Sequence, residues 1–495
     1  MNLLKDPFIS TTQGKVSLRQ VLTTECDYQL QYFFDETQLA MLQMLASLTT
    51  VLLKPTIAEL KNYIENGLSD EQYDHALSEI ETEWFESNSF MQSKSIKKNG
   101  FNSANISKLV SGIESGTSKD ASGLFSDKED VKFSCPDCIH VLNYNLHMTI
   151  SGQYFSKFGS SGIRGGGVIS TLISGKNLRE TIMFNTVASD FYANLSSLND
   201  NFQTDFMWKM PPQGDLYQAA KISLNRGLFA LAYHVEIETK NEDCVCDICG
   251  HFSQGKIESL LYLKYIGQYG SVRNEKGKEN GAGLWLHPYT PRRVTDNGLF
   301  SLTPYGLDWH SWQDLSSFIA GSEIRSSTNI VPAYIVTQFK ENFTESINIL
   351  IGGNITKKAS IIGRVYDLYS MPASLSKNSQ RISQVIDAGI SQKSNLSLAF
   401  KNLIDITTRT SKEKFATGIK EQAMQRFVSN AQQIIQQILL DVDRKESAQL
   451  KKDAIKALNA EAKAIFKAIQ RKYQHDLPMF KALVKGEYVL YKATV

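Results

Sequence analysis

Four of the six cysteines in this 495-residue chain form two Cys-x-x-Cys pairs, Cys135–Cys138 and Cys246–Cys249. Two intervening residues let both sulfurs of a pair reach one ion, and two pairs supply the four thiolates of a tetrahedral structural zinc site. We therefore predict one shared Zn²⁺, which brings distant segments together. Redox chemistry within either pair, or two unrelated pairs, are the alternatives. Cys244 could replace Cys246 as a ligand, and Cys26 is expected to be a buried, small apolar side chain.

The composition indicates a soluble globular protein, with 42% hydrophobic residues, 21% charged residues and a net charge of +2. A protein that coats nucleic acid by itself usually has a large positive excess, so any such contact must come from local patches or partner subunits. The first residues lack the apolar core of a secretory signal, and no segment approaches about 18 apolar residues. The sequence therefore predicts no membrane contact and a cytoplasmic location.

The apolar pattern predicts an α+β fold in two domains, residues 1–367 and 368–495. Near the start, apolar residues recur at helical spacing from Leu39 to Leu48, and Pro55 then interrupts the helix. Up to about residue 366 the periodicity is short and mixed, with frequent Gly, Ser, Asn and Pro. This pattern is typical of a large, irregular mixed domain, which would hold the zinc site.

Long amphipathic patterns dominate the second domain. Apolar stripes at helical spacing run through residues 424–442 and 450–473, and two further helical segments lie near 378–405 and 478–493. Neighbouring amphipathic helices joined by short links favour an antiparallel arrangement. The sequence therefore predicts a C-terminal four-helix bundle.

Catalytic patterns are missing from the sequence. None of the eight histidines lies in a His-Glu-x-x-His motif, no Gly-x-Ser-x-Gly elbow occurs, and the acidic residues form no convincing paired site. His287 could act as a base, but a packed, hydrogen-bonded ring is the interpretation we adopt. We therefore predict that the chain is not an enzyme.

Glycine and basic residues mark candidate contacts with nucleic acid. The segment 162–167, GIRGGG, lacks the spacing of a P-loop or a dinucleotide fold, so it is either a structural turn or a backbone contact with a nucleic-acid strand, helped by Arg164. Residues 349–362 read as a β-hairpin with Lys357 and Lys358 at its tip. Basic groups suit either a solvated surface or phosphate contact. The other groups are Lys94, Lys97 and Lys98; Arg273, Lys276 and Lys278; and Arg292 and Arg293.

Several strings, in their order along the chain, resemble the CasA family, the large subunits of type I-E CRISPR Cascade surveillance complexes. The resemblance runs from residue 1 through the C-terminal helices, and any one string alone would be weak. The strings are MNLLKDPFI at 1–9, FMQSK at 90–94, the first Cys pair, GIRGG at 162–166 before NLR at 177–179, RGLF at 226–229, the second Cys pair, GLWLHP at 283–288, and Gly352–Gly353 before ASI at 359–361.

This resemblance implies a role in antiviral defence. In such complexes a guide RNA pairs with the target strand, while the large subunit recognises the short duplex motif beside the target, the PAM, and promotes duplex opening and R-loop formation. The implied partners are PAM-containing double-stranded DNA, the 5′ handle of the guide RNA, the backbone and small subunits of Cascade, and the helicase-nuclease that the subunit helps to recruit. A zinc-dependent nuclease or other metalloenzyme of a defence complex is the alternative, and a bare scaffold is a third possibility. Four thiolates would leave a metalloenzyme no open metal position.

The resemblance also assigns residues to roles. The four paired cysteines match the zinc pattern of the family. Lys358 occupies the place of a hairpin glutamine that wedges between base pairs, although a lysine has no amide and favours phosphate. Reading the minor groove is permissive, so tolerance among PAM sequences would follow. The other implied nucleic-acid contacts are Leu124, Phe125 and Ser126 for the guide handle and PAM region, Gly152 or Gly159 for the PAM loop, Arg273, Lys276 or Lys278 for the minor groove, and Asn354 and Lys357 of the hairpin.

Overall fold

The fold was obtained as a computed structural model. It describes residues 1–93, 100–110, 131–149, 162–164, 168–190, 206–209, 216–218, 222–264, 268–270, 285, 287–295, 298–301, 309–321, 329–357, 360–373, 375–408 and 413–492.

A short hairpin and a buried helix open the chain. Strands β1 (Ile9–Thr11) and β2 (Gly14–Val16) pair antiparallel, and helix α1 (Leu18–Thr23) follows. Helix α2 (Asp35–Leu53) is buried on nearly all sides, which is typical of a core helix. It ends where Lys54 adopts a left-handed conformation, with φ of 44°, just before Pro55. The predicted helix and its end are therefore confirmed.

Polar caps start the next two helices. Thr56 caps α3 (Ile57–Asn66) and Ser69 caps α4 (Asp70–Ser78), each in a capping box that satisfies backbone N–H groups of the first turn. A 3₁₀ turn, η1 (Thr82–Phe85), follows, and the ring of Phe85 is buried. Two short helices and a 3₁₀ turn therefore follow Pro55.

Short strands and helices alternate through the middle of the chain, as the mixed periodicity predicts. The strands are β3 (Asn102–Asn105), β4 (Ile169–Ser174), β5 (Leu216–Gln218), β6 (Tyr233–Ile237), β7 (Cys244–Val245), β8 (Phe252–Ser253), β9 (Ser259–Lys264), β10 (Gln268–Gly270), β11 (Arg292–Thr295), β12 (Gly298–Ser301), β13 (Asn329–Val331), β14 (Ile347–Lys357) and β15 (Ser360–Met371). The helices are the 3₁₀ turn η2 (Ile106–Leu109), α5 (Cys138–Met148), α6 (Leu178–Phe184), α7 (Leu224–Leu228), the 3₁₀ turn η3 (Ser311–Asp314), α8 (Leu315–Ala320) and α9 (Tyr334–Asn342).

The strands form small sheets rather than one large layer. In the described part of the chain, three-stranded sheets have the orders β3-β9-β6, β12-β11-β13 and β15-β14-β4, while β1-β2, β7-β8 and β10-β5 are two-stranded. Between β6 and β9 the pairing is antiparallel, with Val235 opposite Tyr262. Much of this region therefore consists of the segments that connect small sheets, as expected from its frequent Gly, Ser, Asn and Pro residues.

The C-terminal region is helical. Its helices are α10 (Leu375–Ala399), α11 (Lys401–Thr408), α12 (Glu413–Leu439), α13 (Ser447–Lys472) and α14 (Leu477–Lys492). The segment predicted as one helix near 378–405 is broken at Phe400, so the described residues contain five helices here rather than four. At the break, the buried ring of Phe400 packs with its centroid 5.0 Å from that of Phe466.

The chain divides into two compact units. Unit 1 comprises Met1–Pro304, Glu323–Asn342 and Ile349–Asp367, and unit 2 comprises Tyr305–Ser322, Phe343–Asn348 and Leu368–Val495. The chain passes from unit 1 to unit 2 for the last time between Asp367 and Leu368, which is the predicted domain boundary. Unit 2 also contains two earlier segments that the sequence analysis assigns to the first domain. No single helix of the described residues has the length and apolar content of a membrane span, and only the bent pair α2 and α3 passes that test jointly.

Candidate metal centre and nucleic-acid contacts

The two Cys-x-x-Cys pairs meet in one buried cluster in unit 1. The sulfurs of Cys135, Cys138, Cys246 and Cys249 all lie within 4.8 Å of one another. Four thiolates around a zinc ion, each about 2.3 Å from the metal, lie about 3.8 Å apart, so the cluster suits such an ion. The predicted meeting of the two distant pairs is therefore confirmed. A shared cluster also disfavours two unrelated pairs.

The first pair lies at the start of α5. Cys138 is the first residue of that helix, and its backbone N–H donates a hydrogen bond to the sulfur of Cys135 at 3.4 Å. The backbone N–H of Cys135 donates in turn to the sulfur of Cys246 at 3.2 Å. Because N–H donors aimed at sulfur stabilise a thiolate, the backbone favours the metal-binding form of both ligands.

The second pair lies in a tight turn between β7 and β8. The N–H of Gly250 donates to the carbonyl of Cys246 at 2.8 Å, and the N–H of Cys246 donates to the carbonyl of His251 at 3.0 Å. Gly250 has φ of +78°, a left-handed conformation that glycine adopts without strain. We call residues 244–253 the knuckle, since its two strands and its turn hold both cysteines of the second pair.

Protein hydrogen bonds join the segment before Cys135 to the knuckle and to the chain that follows it. Ser134 and Ile257 exchange two backbone hydrogen bonds, each 2.9 Å long. The carboxylate of Asp247 accepts the N–H groups of Lys132 and Phe133, both at 2.8 Å. The geometry of the cluster is therefore fixed by backbone contacts as well as by its sulfurs.

The pKa values of the four thiols shift in opposite directions. Hydrogen bonding with Cys135 raises the pKa of the Cys138 thiol. The hydrogen bond with Cys138 lowers the pKa of the Cys135 thiol, but those with Cys246 and Cys249 raise it more. Hydrogen bonding from the sulfur of Cys135, and then from that of Cys138, lowers the pKa of the Cys246 and Cys249 thiols. Lys15 of β2 forms an ion pair with Asp137. Burial lowers the pKa of Lys15, but the hydrogen bond to Asp137 and the sulfurs of Cys135 and Cys249 raise it more, so its net pKa is raised.

Residues outside the cluster refine the sequence predictions. Cys244 is not part of the four-sulfur cluster, and its thiol donates to the carbonyl of Gly255 at 3.5 Å. Cys26 is partly exposed and donates to the side chain of Gln13 at 3.0 Å, so its predicted burial is wrong. The contact of Lys15 with Asp137 was not predictable, since no spacing links residues so far apart in sequence.

Arg164 does not lie where a nucleic-acid strand could reach it. Its side chain is 1% exposed. Its guanidinium donates to Thr290 Oγ1 at 2.8 Å, to Gln43 Oε1 at 2.7 Å and to Ser170 Oγ at 2.6 Å. The predicted strand contact is therefore wrong for this residue, because the interior already uses its donors. Gly162, with φ of +62°, fits the alternative of a structural turn, and residues 165–167 lie outside the described residues.

The predicted hairpin exists, but Asn354 is buried within it. Strands β14 and β15 are hydrogen-bonded neighbours, and a link of only two residues requires them to run antiparallel. Asn354 is 4% exposed, and its side-chain oxygen accepts from Arg364 Nη1 at 3.5 Å. A direct contact with nucleic acid is therefore wrong for Asn354. Lys357 is the last residue of β14.

Arg364 ties the hairpin to helix α2. Its guanidinium pairs with Asp35, with Nη2 2.6 Å from Oδ1, and also with Glu36. Burial lowers the pKa of Arg364, but the charges of Glu36 and Asp35 raise it more, so its net pKa is raised and the guanidinium stays charged. Strand β15 is therefore tied to the buried helix near its start.

Most other predicted contacts lie outside the described residues. His287 is a described candidate, and its ring is buried against Trp285 and Tyr289, with centroid distances of 5.5 and 5.2 Å. Burial lowers its pKa well below the ordinary value, so the packed ring is confirmed. Arg292 is buried as well and donates to the carbonyl of Trp285. The predicted residues outside the described part are Lys94, Lys97, Lys98, Leu124, Phe125, Ser126, Gly152, Gly159, Arg273, Lys276, Lys278 and Lys358.

Comparison with known proteins identifies the family. The model of the CRISPR-associated protein Cse1 family matches residues 2–469. Thermus thermophilus CasA (Cse1) has a similar structure, with a TM-score of 0.72, 14% identity and coverage of 100% of this chain and 99% of that chain. Cse1 from Acidimicrobium ferrooxidans gives a TM-score of 0.68 at 12% identity, covering 100% of this chain and 98% of that chain.

A chain in a structure described as a CRISPR RNA-guided surveillance complex is also similar, with a TM-score of 0.66, 14% identity and 99% coverage of both chains. At such identities the structures show a shared fold, whereas the family model matches the sequence itself. The resemblance drawn from the ordered motifs is thereby confirmed. Because the family model spans most of its length, the chain belongs to the CRISPR-associated protein Cse1 family.

Proposed function

We propose that this chain is the large subunit of a type I-E CRISPR RNA-guided surveillance complex. In this role it recognises the PAM in double-stranded DNA, promotes duplex opening and R-loop formation, and helps to recruit a helicase-nuclease. The family match over residues 2–469 carries the proposal, and the likeness to a chain of a surveillance complex supports it. Its partners would be the guide RNA and the other subunits of that complex, in the cytoplasm.

The cysteine cluster supports a structural rather than a catalytic metal. All four ligand sulfurs are buried, and four thiolates complete a tetrahedral sphere without a place for water or substrate. We assign the cluster to Zn²⁺, which would lock the two pairs together. Residues 131–134, which precede the first Cys pair, would then be held in a fixed position. This arrangement disfavours a zinc-dependent nuclease and agrees with a non-enzymatic subunit.

The hairpin is the element that we assign to duplex opening. Strand β14 ends at Lys357 and strand β15 begins at Ser360, so Lys358 falls between the two strands in the sequence. Arg364 anchors β15 to the buried helix α2 four residues after the strand begins, so the part of the hairpin near the turn is held in place. Cations at such a turn favour phosphate at the edge of a duplex.

The central experiment removes this chain from the complex. Guide-loaded complex without the chain should bind PAM-containing duplex poorly, and the purified chain should restore binding. A duplex with a mutated PAM is the control and should gain little from the chain. Unchanged affinity with and without the chain would disprove the proposal. Cleavage of DNA by the purified chain, lost when Cys249→Ser leaves the protein folded, would favour the metalloenzyme instead.

We predict that Lys357→Ala combined with Lys358→Ala slows R-loop formation on duplex DNA by about tenfold, but weakens binding to pre-opened DNA by less than about threefold. The reason is that a contact at the duplex edge matters only while base pairs are being separated. Filter binding on both substrates measures the difference. Lys176→Ala, at a lysine side chain that is 85% exposed in the same unit, controls for the loss of surface charge. Equal losses on both substrates would indicate plain phosphate contact.

A further inference from the structure

The knuckle has an apolar outer surface beside its buried sulfurs. Phe33, Val245 and Phe252 are 64%, 60% and 63% exposed, although large apolar side chains are usually covered. We call these three residues the knuckle surface. An apolar group of this kind on a structured element is typical of an interaction site.

All three residues lie on the knuckle or directly against it. Val245 and Phe252 are direct cross-strand partners of β7 and β8. The backbone N–H of Phe33 donates to the carbonyl of Ile248 at 2.9 Å, which fixes Phe33 to the turn of the knuckle. A methyl group placed on Gly250 would lie 2.8 Å from Phe33 Cζ, so this ring lies directly against the glycine.

The knuckle surface stands on a rigid base. Backbone hydrogen bonds of Cys246 with Gly250 and His251 close the knuckle turn. The carboxylate of Asp247 joins the turn to the segment before the first Cys pair. Two of the four clustered sulfurs, those of Cys246 and Cys249, belong to the knuckle itself. A surface that is already ordered loses little conformational entropy when it binds, so the geometry favours a preorganised docking site.

The charges around the knuckle surface select the class of partner. Residues 238–258 contain five acids and two lysines, so this segment has a net negative charge. Glu242 and Asp243 are exposed and directly precede β7, and Glu242 pairs with Lys256, with Oε2 2.6 Å from Nζ. Acidic groups repel the phosphates of nucleic acid, but they complement lysine and arginine on a protein.

We propose that the knuckle surface docks another protein subunit of the same complex, through an apolar segment flanked by lysine or arginine. This inference rests on the proposed function, because it places the partner within the surveillance complex. The apolar side chains supply the contact area, and the acidic residues before β7 set the orientation and reject nucleic acid.

The first test replaces the apolar side chains. Val245→Thr with Phe252→Thr keeps residues suited to strands, and should lower the fraction of chain that enters the purified complex by about tenfold or more. Bound zinc and the melting temperature should stay unchanged, which separates lost docking from a damaged knuckle. Leu477→Thr, at a residue 60% exposed in unit 2, is the matched control and should assemble normally. Normal assembly of the double variant would overturn the inference.

The second test uses charge to distinguish the classes of partner. Asp243→Lys should weaken assembly by about threefold to tenfold if the partner is basic. If the occupant is nucleic acid, the added lysine should strengthen binding instead, and that result would overturn the inference.

The third test identifies the occupant directly. A photoreactive phenylalanine analogue at Phe252, in chain tagged within its native operon, should crosslink to a peptide of another subunit that contains lysine or arginine. A crosslink to RNA, to DNA, to a second copy or to residues 111–130 of the same chain, or no crosslink to protein, would overturn the inference. Whether guide RNA accompanies the tagged chain tests the proposed function separately, because that result does not depend on the crosslinked position.

Discussion

Individual polar residues show how burial changes the meaning of a sequence motif. Arg164 lies two residues after Gly162 and directly before three glycines, which indicates an exposed loop that could approach phosphate. In the structure its guanidinium donates hydrogen bonds to the side chains of Gln43, Ser170 and Thr290, which are all buried. The residue is therefore a buried connector of polar groups. Its contact residues lie at distant positions, so the local sequence contains no sign of this role.

We predict that Arg164→Met lowers the free energy of unfolding by about 3 kcal/mol, because it leaves three buried polar side chains without their donor. Urea unfolding measures the change. Lys176→Met removes a charge from an 85% exposed side chain and should change stability by less than about 0.5 kcal/mol. A stable Arg164→Met variant that instead loses DNA binding would restore the strand contact that the glycine-rich motif suggests.

A second buried polar residue, His147, makes the stability of the protein depend on pH. His147 is buried, and its Nδ1 accepts the N–H of Ala232 at 3.0 Å. Burial, assisted by the charge of His234, lowers the pKa of His147 from 6.5 to about 3. Below pH 6.5 the unfolded chain therefore takes up a proton that the folded chain does not, and stability falls as the pH drops toward 3.

We predict that this residue alone costs about 2 kcal/mol of unfolding free energy between pH 7 and pH 5. His147→Gln keeps an acceptor for the N–H of Ala232 but does not titrate, so the variant should lose less stability over that interval. Urea unfolding at a series of pH values measures the slope. His475→Gln, at an exposed histidine, should leave the slope unchanged. Equal slopes for wild type and His147→Gln would contradict the assignment.

At the scale of elements, the distance between neighbouring helices determines whether a helical glycine can be replaced by a larger residue. Gly486 of α14 is buried, and a Cβ there would overlap the carbonyl oxygen of Ala399 at the end of α10. Gly418 of α12 has nothing within 4 Å of the corresponding position. Both glycines lie within helices, where replacing glycine by alanine normally stabilises by about 1 kcal/mol.

We predict opposite signs for these two substitutions. Gly418→Ala should stabilise unit 2 by about 0.5 to 1 kcal/mol, since only helix propensity changes. Gly486→Ala should destabilise it by about 2 kcal/mol or more, because α14 must move away from α10. Thermal unfolding monitored by circular dichroism compares the two variants, which act as controls for each other. Stabilisation by both would mean that the two helices do not approach as closely as described.

At the scale of the whole molecule, the sequence predicts local patterns better than long-range arrangement. The spacing of the cysteines predicts the shared cluster, and two apolar runs around a polar link predict the hairpin. The division of the chain into units is harder to predict from the sequence. Tyr305–Ser322 and Phe343–Asn348 belong to unit 2, although they precede its long C-terminal helices. Periodicity describes which face of an element is buried but not which distant element buries it. The same limit explains Asn354, whose position in a basic hairpin gives no sign of its contact with Arg364.

The division into units predicts a local response to metal removal. Zinc would link segments 131–138 and 244–257, which belong to unit 1, so its loss should release those segments while the helices of unit 2 keep their own core. Treatment with a strong chelator should accelerate amide hydrogen exchange in the two segments by about tenfold or more and leave residues 375–492 unchanged. Cys249→Ser should reproduce this effect, whereas Cys26→Ser should retain the metal and the wild-type exchange pattern. Uniform acceleration across both units would show that the cluster stabilises the molecule as a whole, and the proposed role as a local brace for the segment before Cys135 would then fail.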